Sequence, residues 1–71
     1  MVSKYDWSNV PFNVVSIATD SDGYAHGWGG KPIPVDGEWL GRGCKLLEFM
    51  LSPDENPFNG DWRDSLEERP K

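Results

Sequence analysis

Four tryptophans in a chain of 71 residues constrain the fold more than any other feature of this sequence. A chain of this length forms one domain at most, and it buries only about 60% of the surface that its unfolded form exposes. A buried aromatic side chain removes roughly 150–250 Å² of surface from water. Each tryptophan falls in a different predicted element, so indole burial is expected to dominate the energetics of the core.

Covalent and metal cross-links are not available to support this small core. Cys44 is the one cysteine and His26 the one histidine of the sequence, which excludes an internal disulfide and a Cys/His zinc site. Self-association is the other common way to stabilise a small domain, and the sequence leaves a homo-oligomer open. The lone cysteine, together with the absence of a long apolar run or a signal-peptide pattern, predicts a soluble cytoplasmic protein.

The charge of the chain bears on the class of partner. The formal net charge is −5, and an acidic protein repels a phosphate backbone, so a long nucleic acid is not expected as a partner. A small acidic protein with exposed aromatic residues is suited to a basic cleft on another protein. Plain solubility explains the same charge equally well.

The order of predicted elements indicates a single mainly β domain over residues 1–71. Residues 1–11 are expected to form an N-terminal arm, and residues 12–51 a small antiparallel meander of three or four strands. Residues 52–71 are expected to form a loop followed by a short C-terminal helix.

Turn residues divide the predicted meander into strands. Phe12 to Thr19 is rich in β-branched residues and predicts the first strand. The Asp20-Ser21-Asp22-Gly23 segment predicts a hairpin turn, because glycine accepts the positive φ that such turns require. Tyr24 to Lys31 would then be the returning strand. A second turn at Asp36-Gly37 follows an extended connector that begins after Pro32, and it leads into a strand from Glu38.

Two later segments are less clearly patterned. Cys44 to Leu51 fits either strand alternation or a short helical stripe, and its length favours a strand. Asn59 or Asp61 is positioned to cap a helix that runs to Glu67 or Glu68. The residues expected on the buried face of that helix are Trp62 and Leu66.

The second predicted strand has an aromatic face and a nearly bare face. Alternation places one set of side chains on each face: Tyr24, His26 and Trp28 on one, and Ala25, Gly27 and Gly29 on the other. The bare face permits close approach of a ligand, of another chain segment, or of the partner strand at a bulge. The candidate binding residues are Tyr24, His26, Trp28, Lys31 and Trp39. The first four would stack and pair a nucleotide.

No motif in the sequence predicts an enzyme. Cys44 lies at the start of an apolar run, where a buried thiol is inert, and His26 lacks the partners of a catalytic triad. The aspartates near Gly23 do not continue into a calcium-binding loop, and Lys31 is followed by proline, unlike the lysine of a phosphate-binding loop. We therefore predict no catalytic residue, no metal and no cofactor.

Several segments, taken in order, resemble a set of small uncharacterised proteins of tailed bacteriophages and prophages. The resembling segments are Tyr5-Asp6-Trp7-Ser8, Ile17-Ala18-Thr19-Asp20-Ser21-Asp22-Gly23, Lys31-Pro32, Trp39 and Asp61-Trp62-Arg63-Asp64-Ser65-Leu66-Glu67-Glu68-Arg69-Pro70. The last of these, a Trp-x-x-Ser-Leu-x-x-Arg-Pro ending, is the most specific. The resemblance implies a phage accessory protein that works in the cytoplasm of an infected bacterium, and it carries no catalytic residue.

These observations lead to one main functional hypothesis and two alternatives. The main hypothesis is a non-enzymatic protein that binds a host macromolecule, most simply a host protein, and inhibits a host defence or another host process. The alternatives are a nucleotide-binding module and a minor component of the virion or its assembly. No membrane association is expected.

Overall fold

Six short strands and one 3-10 turn form the described part of the protein, in a computed structural model that describes residues 3–70. The strands are β1 (Ser16–Thr19), β2 (Ala25–Trp28), β3 (Ile33–Val35), β4 (Glu38–Leu40), β5 (Leu46–Leu51) and β6 (Glu67–Glu68), and the 3-10 turn is Trp62–Asp64. The predicted mainly β class is confirmed. Residues 1 and 2 of the predicted arm and Lys71 lie outside the described residues.

Four of the strands form one antiparallel sheet in the order β5-β2-β1-β6, and β3 and β4 form a separate hairpin. The predicted meander is therefore β1-β2-β5, with the β3–β4 hairpin inserted before β5. β6 returns from the end of the chain to the free side of β1. Residues 3–70 therefore contain six strands, of which four form the main sheet, where we expected three or four.

The first hairpin turns at the predicted position. Gly23 has a φ of 92°, and its amide donates to the carbonyl of Asp20 at 2.9 Å. β1 is shorter than the predicted strand, since it begins at Ser16. The residues before it form a turn in which Val14 N–H donates to Pro11 O at 3.0 Å.

The predicted extended connector after Pro32 contains a strand of its own. β3 pairs with β4 around a tight turn in which Asp36 and Gly37 both have positive φ, at 50° and 88°, as a two-residue type I′ turn requires. Pro34 lies opposite Trp39. In a two-residue hairpin this is a pair that exchanges no backbone hydrogen bonds, so the missing N–H of proline costs the ladder nothing.

The segment that fitted both a helix and a strand is a strand. β5 pairs with β2, with Leu51 opposite Ala25 and Met50 opposite His26, and the register then shifts before Leu46 meets Trp28. Side chains alternate between half-buried and exposed along its length. Strand alternation is therefore the correct interpretation of this segment.

The predicted C-terminal helix is wrong beyond its first turn. Asp61 caps a 3-10 turn by accepting a hydrogen bond from the amide of Arg63. Ser65 is then held by β1, because its Oγ accepts from Thr19 N at 2.7 Å and donates to Thr19 O at 3.1 Å. This tether directs the next residues into β6 beside β1 instead of into a second helical turn.

Two small cores lie on opposite faces of the four-stranded sheet. The first is covered by the N-terminal arm and centres on Tyr5, Val14, Ile17 and Ala25. The second is covered by the β3–β4 hairpin and the 3-10 turn, and centres on Ala18, Trp28 and Trp39. Strand alternation explains the division, since neighbouring residues of β1 and β2 point to opposite faces.

Candidate functional site

Trp39, one of the five candidate binding residues, is part of the second core. It is 5% exposed, and its indole N–H donates to the carbonyls of Thr19 at 2.8 Å and Trp62 at 3.3 Å. Its ring meets that of Trp62 edge to face, with centroids 6.1 Å apart. The side chain thus joins β4 to β1 and to the 3-10 turn.

Trp28 is buried in the same core. It is 6% exposed, and its ring lies against Gly41, where an added Cβ would come within 2.8 Å of the indole. Its buried Nε1 has no hydrogen-bond partner within residues 3–70. Neither tryptophan offers a free face to a ligand on this surface.

The other three candidates are partly or fully exposed and share no partner within residues 3–70. Tyr24 is 38% exposed. His26 is half-buried, with Nδ1 3.5 Å from Asp20 Oδ2. Lys31 is exposed, and its ammonium lies 3.8 Å from Oε1 of Glu68, a residue of β6. No described contact joins these three side chains, and the binding role assigned to the five residues stays a prediction.

The bare face of β2 is occupied by other segments of the chain. A Cβ placed on Gly27 would lie 2.9 and 3.0 Å from the two methyl carbons of Val14 and 3.1 Å from Phe49 Cβ. The shortest of these contacts is below the range of real Cβ contacts and the other two are tighter than most, so a side chain at Gly27 would displace Val14 and Phe49 from their close packing against β2. Packing by neighbouring segments of the chain therefore accounts for the bare face of β2. The pairing of β2 with β5 also has a bulge beside Gly27.

Two open clefts lie on either side of the loop that follows β5. The first has a volume of about 360 Å³ and is lined mainly by the β1–β2 turn and the residues around the 3-10 turn. Its charged lining residues are Asp20, Asp61 and Arg63. Arg63 pairs with Asp61 at 2.9 Å and holds the pKa of that carboxyl below its usual range, so these two charges largely satisfy each other.

The second cleft, which we call the acidic cleft, has a volume of about 380 Å³. Its lining consists of Asp6, Asn9, Val10, Phe49, Leu51, Glu55 and Pro57. Phe49 and Leu51 supply an apolar wall from β5, and Asp6 and Glu55 are the acidic residues of the lining. Hydrogen bonds from the Ser8 hydroxyl and amide lower the pKa of Asp6, which favours its ionised form.

β5 borders the acidic cleft and is the exposed edge strand of the sheet. Leu46 and Met50 are 53% and 56% exposed, and both lie on the face opposite the cleft. β2 occupies one side of β5 and no strand of residues 3–70 occupies the other. The strand therefore presents an unpaired backbone edge flanked by apolar side chains.

No pattern in the sequence predicts this edge or the acidic cleft. The Leu46–Leu51 run contains a single charged residue, Glu48, which is a signal for an apolar strand but not for its place in the sheet. That place depends on β5 pairing with β2, and on β6 pairing with β1 instead of covering β5, and both are contacts between residues far apart in the chain. Within residues 3–70, no group of three or more His, Cys, Asp or Glu side chains is arranged to hold a metal ion.

Among residues 3–70, no helix has the length and apolar character needed to cross a membrane. No family model, no curated protein and no solved structure matches the chain.

Proposed function

We propose that this chain is a non-enzymatic phage accessory protein that binds a host protein in the bacterial cytoplasm and thereby inhibits a host defence or another host process. The phage origin is supported by the resemblance of the segments quoted above, above all the ending that contains Trp62 and Pro70. The binding role is supported by the surface of the molecule. These two parts of the proposal are independent of each other.

The observation that carries the binding role is the exposed edge of β5. Two of its six residues, Leu46 and Met50, expose more than half of their side chains. A free strand edge presents unpaired N–H and C=O groups and is a template for pairing with another chain. Natural proteins commonly protect such edges by covering, shortening or bulging them. β5 is six residues long and uncovered by any other strand of residues 3–70, with one bulge against β2, and its open side favours protein recognition.

Burial of the tryptophans favours this role over nucleotide binding. Stacking of a base requires an accessible aromatic face, and Trp28 and Trp39 are both buried. Among Tyr24, Trp28 and Trp39, only Tyr24 is exposed. The acidic residues of the acidic cleft would also repel a nucleotide phosphate.

Site-specific photo-crosslinking in bacterial lysates tests the proposed function. A benzophenone amino acid placed at Met50 reports on the β5 edge, and the same group at Phe12, which is 94% exposed, is the matched control outside β5. We expect a discrete crosslinked host protein from the Met50 position and none of the same mass from Phe12. The proposal is wrong if both positions yield only the same abundant proteins.

A further inference from the structure

The outer edge of β5 has the length and composition of a strand acceptor. The strand has six residues, Leu46–Leu51, and contains no proline. Glu48 is its one charged residue, so the edge lacks the lysines and prolines that commonly block strand addition. An extended peptide that pairs with such an edge gains main-chain hydrogen bonds, and its alternate side chains reach pockets on each face.

The acidic cleft lies where one of those side chains would point. Residues opposite each other in an antiparallel pair project from the same face of the sheet. A residue paired opposite Phe49 or Leu51 therefore projects on the face that carries the cleft, because both of these side chains line it. The pocket and the strand edge form one continuous surface.

The chemistry of the cleft selects a basic side chain. Lysine and arginine pack their aliphatic stems on apolar surface and keep the charged end with polar groups. Phe49, Leu51 and Val10 supply the apolar surface, and Asp6 and Glu55 supply the carboxylates. The net charge of −5 attracts a basic partner over longer distances.

We propose that β5 accepts an extended basic segment of a partner protein as a fifth strand of the sheet, with a lysine or arginine of that segment in the acidic cleft. This rests on the proposed function and names the chemistry of the partner. Asp6 and Glu55 recognise the cation, and the backbone of β5 binds the main chain.

A second copy of the chain fits this surface less well. An antiparallel self-pairing centred on Glu48 places the two Glu48 carboxylates directly opposite each other, which is destabilising. In any register two chains of charge −5 approach each other with their acidic clefts on the shared face. Charge complementarity therefore favours a basic partner over self-pairing.

Peptide binding provides the test. The probe is a fluorescein-labelled peptide of alternating threonine and valine, about nine residues long so that it covers the strand, with a central lysine. The matched peptide carries glutamate at the centre. We expect fluorescence anisotropy to show at least about tenfold tighter binding of the lysine peptide, because the glutamate meets two carboxylates.

Variants of the cleft separate local recognition from net charge. Asp6→Asn with Glu55→Gln removes both carboxylate charges and keeps the oxygens that accept hydrogen bonds from Ser8 and Ser52. Asp22→Asn with Glu38→Gln changes the net charge equally at exposed positions outside the cleft. We expect the first pair to weaken the lysine peptide about fivefold or more and the second less than about twofold. Equal losses would overturn the assignment of the cation to the cleft.

Amide hydrogen exchange by NMR locates the bound peptide. Strand addition slows exchange of Leu46–Leu51 amides and leaves β6 unchanged, so binding that protects no β5 amide would overturn the proposal. A β5-mediated dimer of the free chain, detected by analytical ultracentrifugation, would also overturn it. If no peptide binds while the Met50 photo-crosslink still captures a host protein, strand addition is wrong and the proposed function stands. If both experiments are negative, both proposals fall.

Discussion

The two outer strands of the four-stranded sheet differ in how their edges are protected. β6 has two residues and is surrounded by side-chain hydrogen bonds, including those from Lys4 Nζ to the carbonyls of Asp64 at 2.7 Å and Leu66 at 3.0 Å. β5 has six residues and an open side. Polar anchoring is thus concentrated at the edge that completes the fold, and the other edge is left for contacts that the fold does not require.

The largest loss of stability is expected at the closed edge from Ser65→Ala. Ser65 is fully buried, and removal of its Oγ leaves the buried amide of Thr19 without its 2.7 Å acceptor. An unsatisfied buried donor costs about 1–3 kcal/mol, so we expect the free energy of unfolding to fall by about 2–3 kcal/mol. Urea unfolding followed by tryptophan fluorescence measures the change.

The control for this substitution is Ser8→Ala. Ser8 is an exposed serine that bonds Asp6 Oδ1 at 2.6 Å, and its loss is expected to cost less than about 0.5 kcal/mol. Similar losses from both variants would show that the tether between Ser65 and β1 does not close this edge.

The next effect is expected from Arg69→Lys, which keeps the charge and removes the planar donor group. Arg69 Nε donates to Val14 O at 2.9 Å, and its guanidinium also donates to Pro11 O at 2.5 Å and lies 4.8 Å from the centre of the Trp7 ring. Lysine does not reproduce this geometry, so we expect a loss of about 1–2 kcal/mol in thermal or urea unfolding.

Arg63→Lys is the matched control, since Arg63 is exposed and pairs with Asp61 at the surface. A surface pair of this kind contributes about 0–1 kcal/mol. If Arg63→Lys proves as costly as Arg69→Lys, the arm is not held to the closed edge by the guanidinium of Arg69.

A smaller effect with a distinctive pH dependence is expected from Tyr5→Phe. The hydroxyl of Tyr5 bonds Thr19 Oγ1 at 2.8 Å and Ser65 O at 2.9 Å, so its loss should cost about 1 kcal/mol at neutral pH. Burial raises the pKa of Tyr5 above its ordinary value of 10.0. Stability from the neutral phenol is therefore fully present below pH 10.0 and is lost as the pH rises from there towards the pKa of the folded state.

The difference between wild type and Tyr5→Phe should accordingly shrink above pH 10.0, because phenylalanine has no proton to lose. Unfolding curves at matched pH values measure it, and other titrating groups cancel in the difference. Tyr24→Phe, which removes an exposed phenol, should leave the alkaline loss unchanged. A gap between wild type and Tyr5→Phe that stays constant with pH would contradict a buried neutral Tyr5.

Local signals in the sequence predicted the parts of the fold that depend on neighbouring residues. Asp-Gly pairs identified the turns before Tyr24 and Glu38, and the length of Cys44–Leu51 favoured a strand. The C-terminal helix was wrongly predicted because the tether from Ser65 to Thr19 joins residues distant in the sequence. The helical spacing of Trp62 and Leu66 was present, but that tether determined the path of the chain.

The candidate site likewise depends on contacts between distant residues, which local patterns do not predict. Aromatic alternation placed Tyr24, His26 and Trp28 on one face, but it does not reveal that the hairpin containing Trp39 covers part of that face. The acidic cleft combines residues from the arm, β5 and the following loop, and no local pattern joins them. A site assembled from three separate segments is visible only once the chain is folded.

The smallest effect on stability is expected at the open edge, from Met50→Thr. The side chain is 56% exposed, threonine favours strands, and exposed substitutions usually change stability by less than about 0.5 kcal/mol. Urea unfolding should therefore give a midpoint close to that of wild type. Leu51→Thr is the matched control on the same strand, because Leu51 packs against the first core and should lose at least about 1 kcal/mol. If Met50→Thr proved as damaging as Leu51→Thr, the exposed face of β5 would be needed by the fold itself. It would then no longer be a surface left free for a partner.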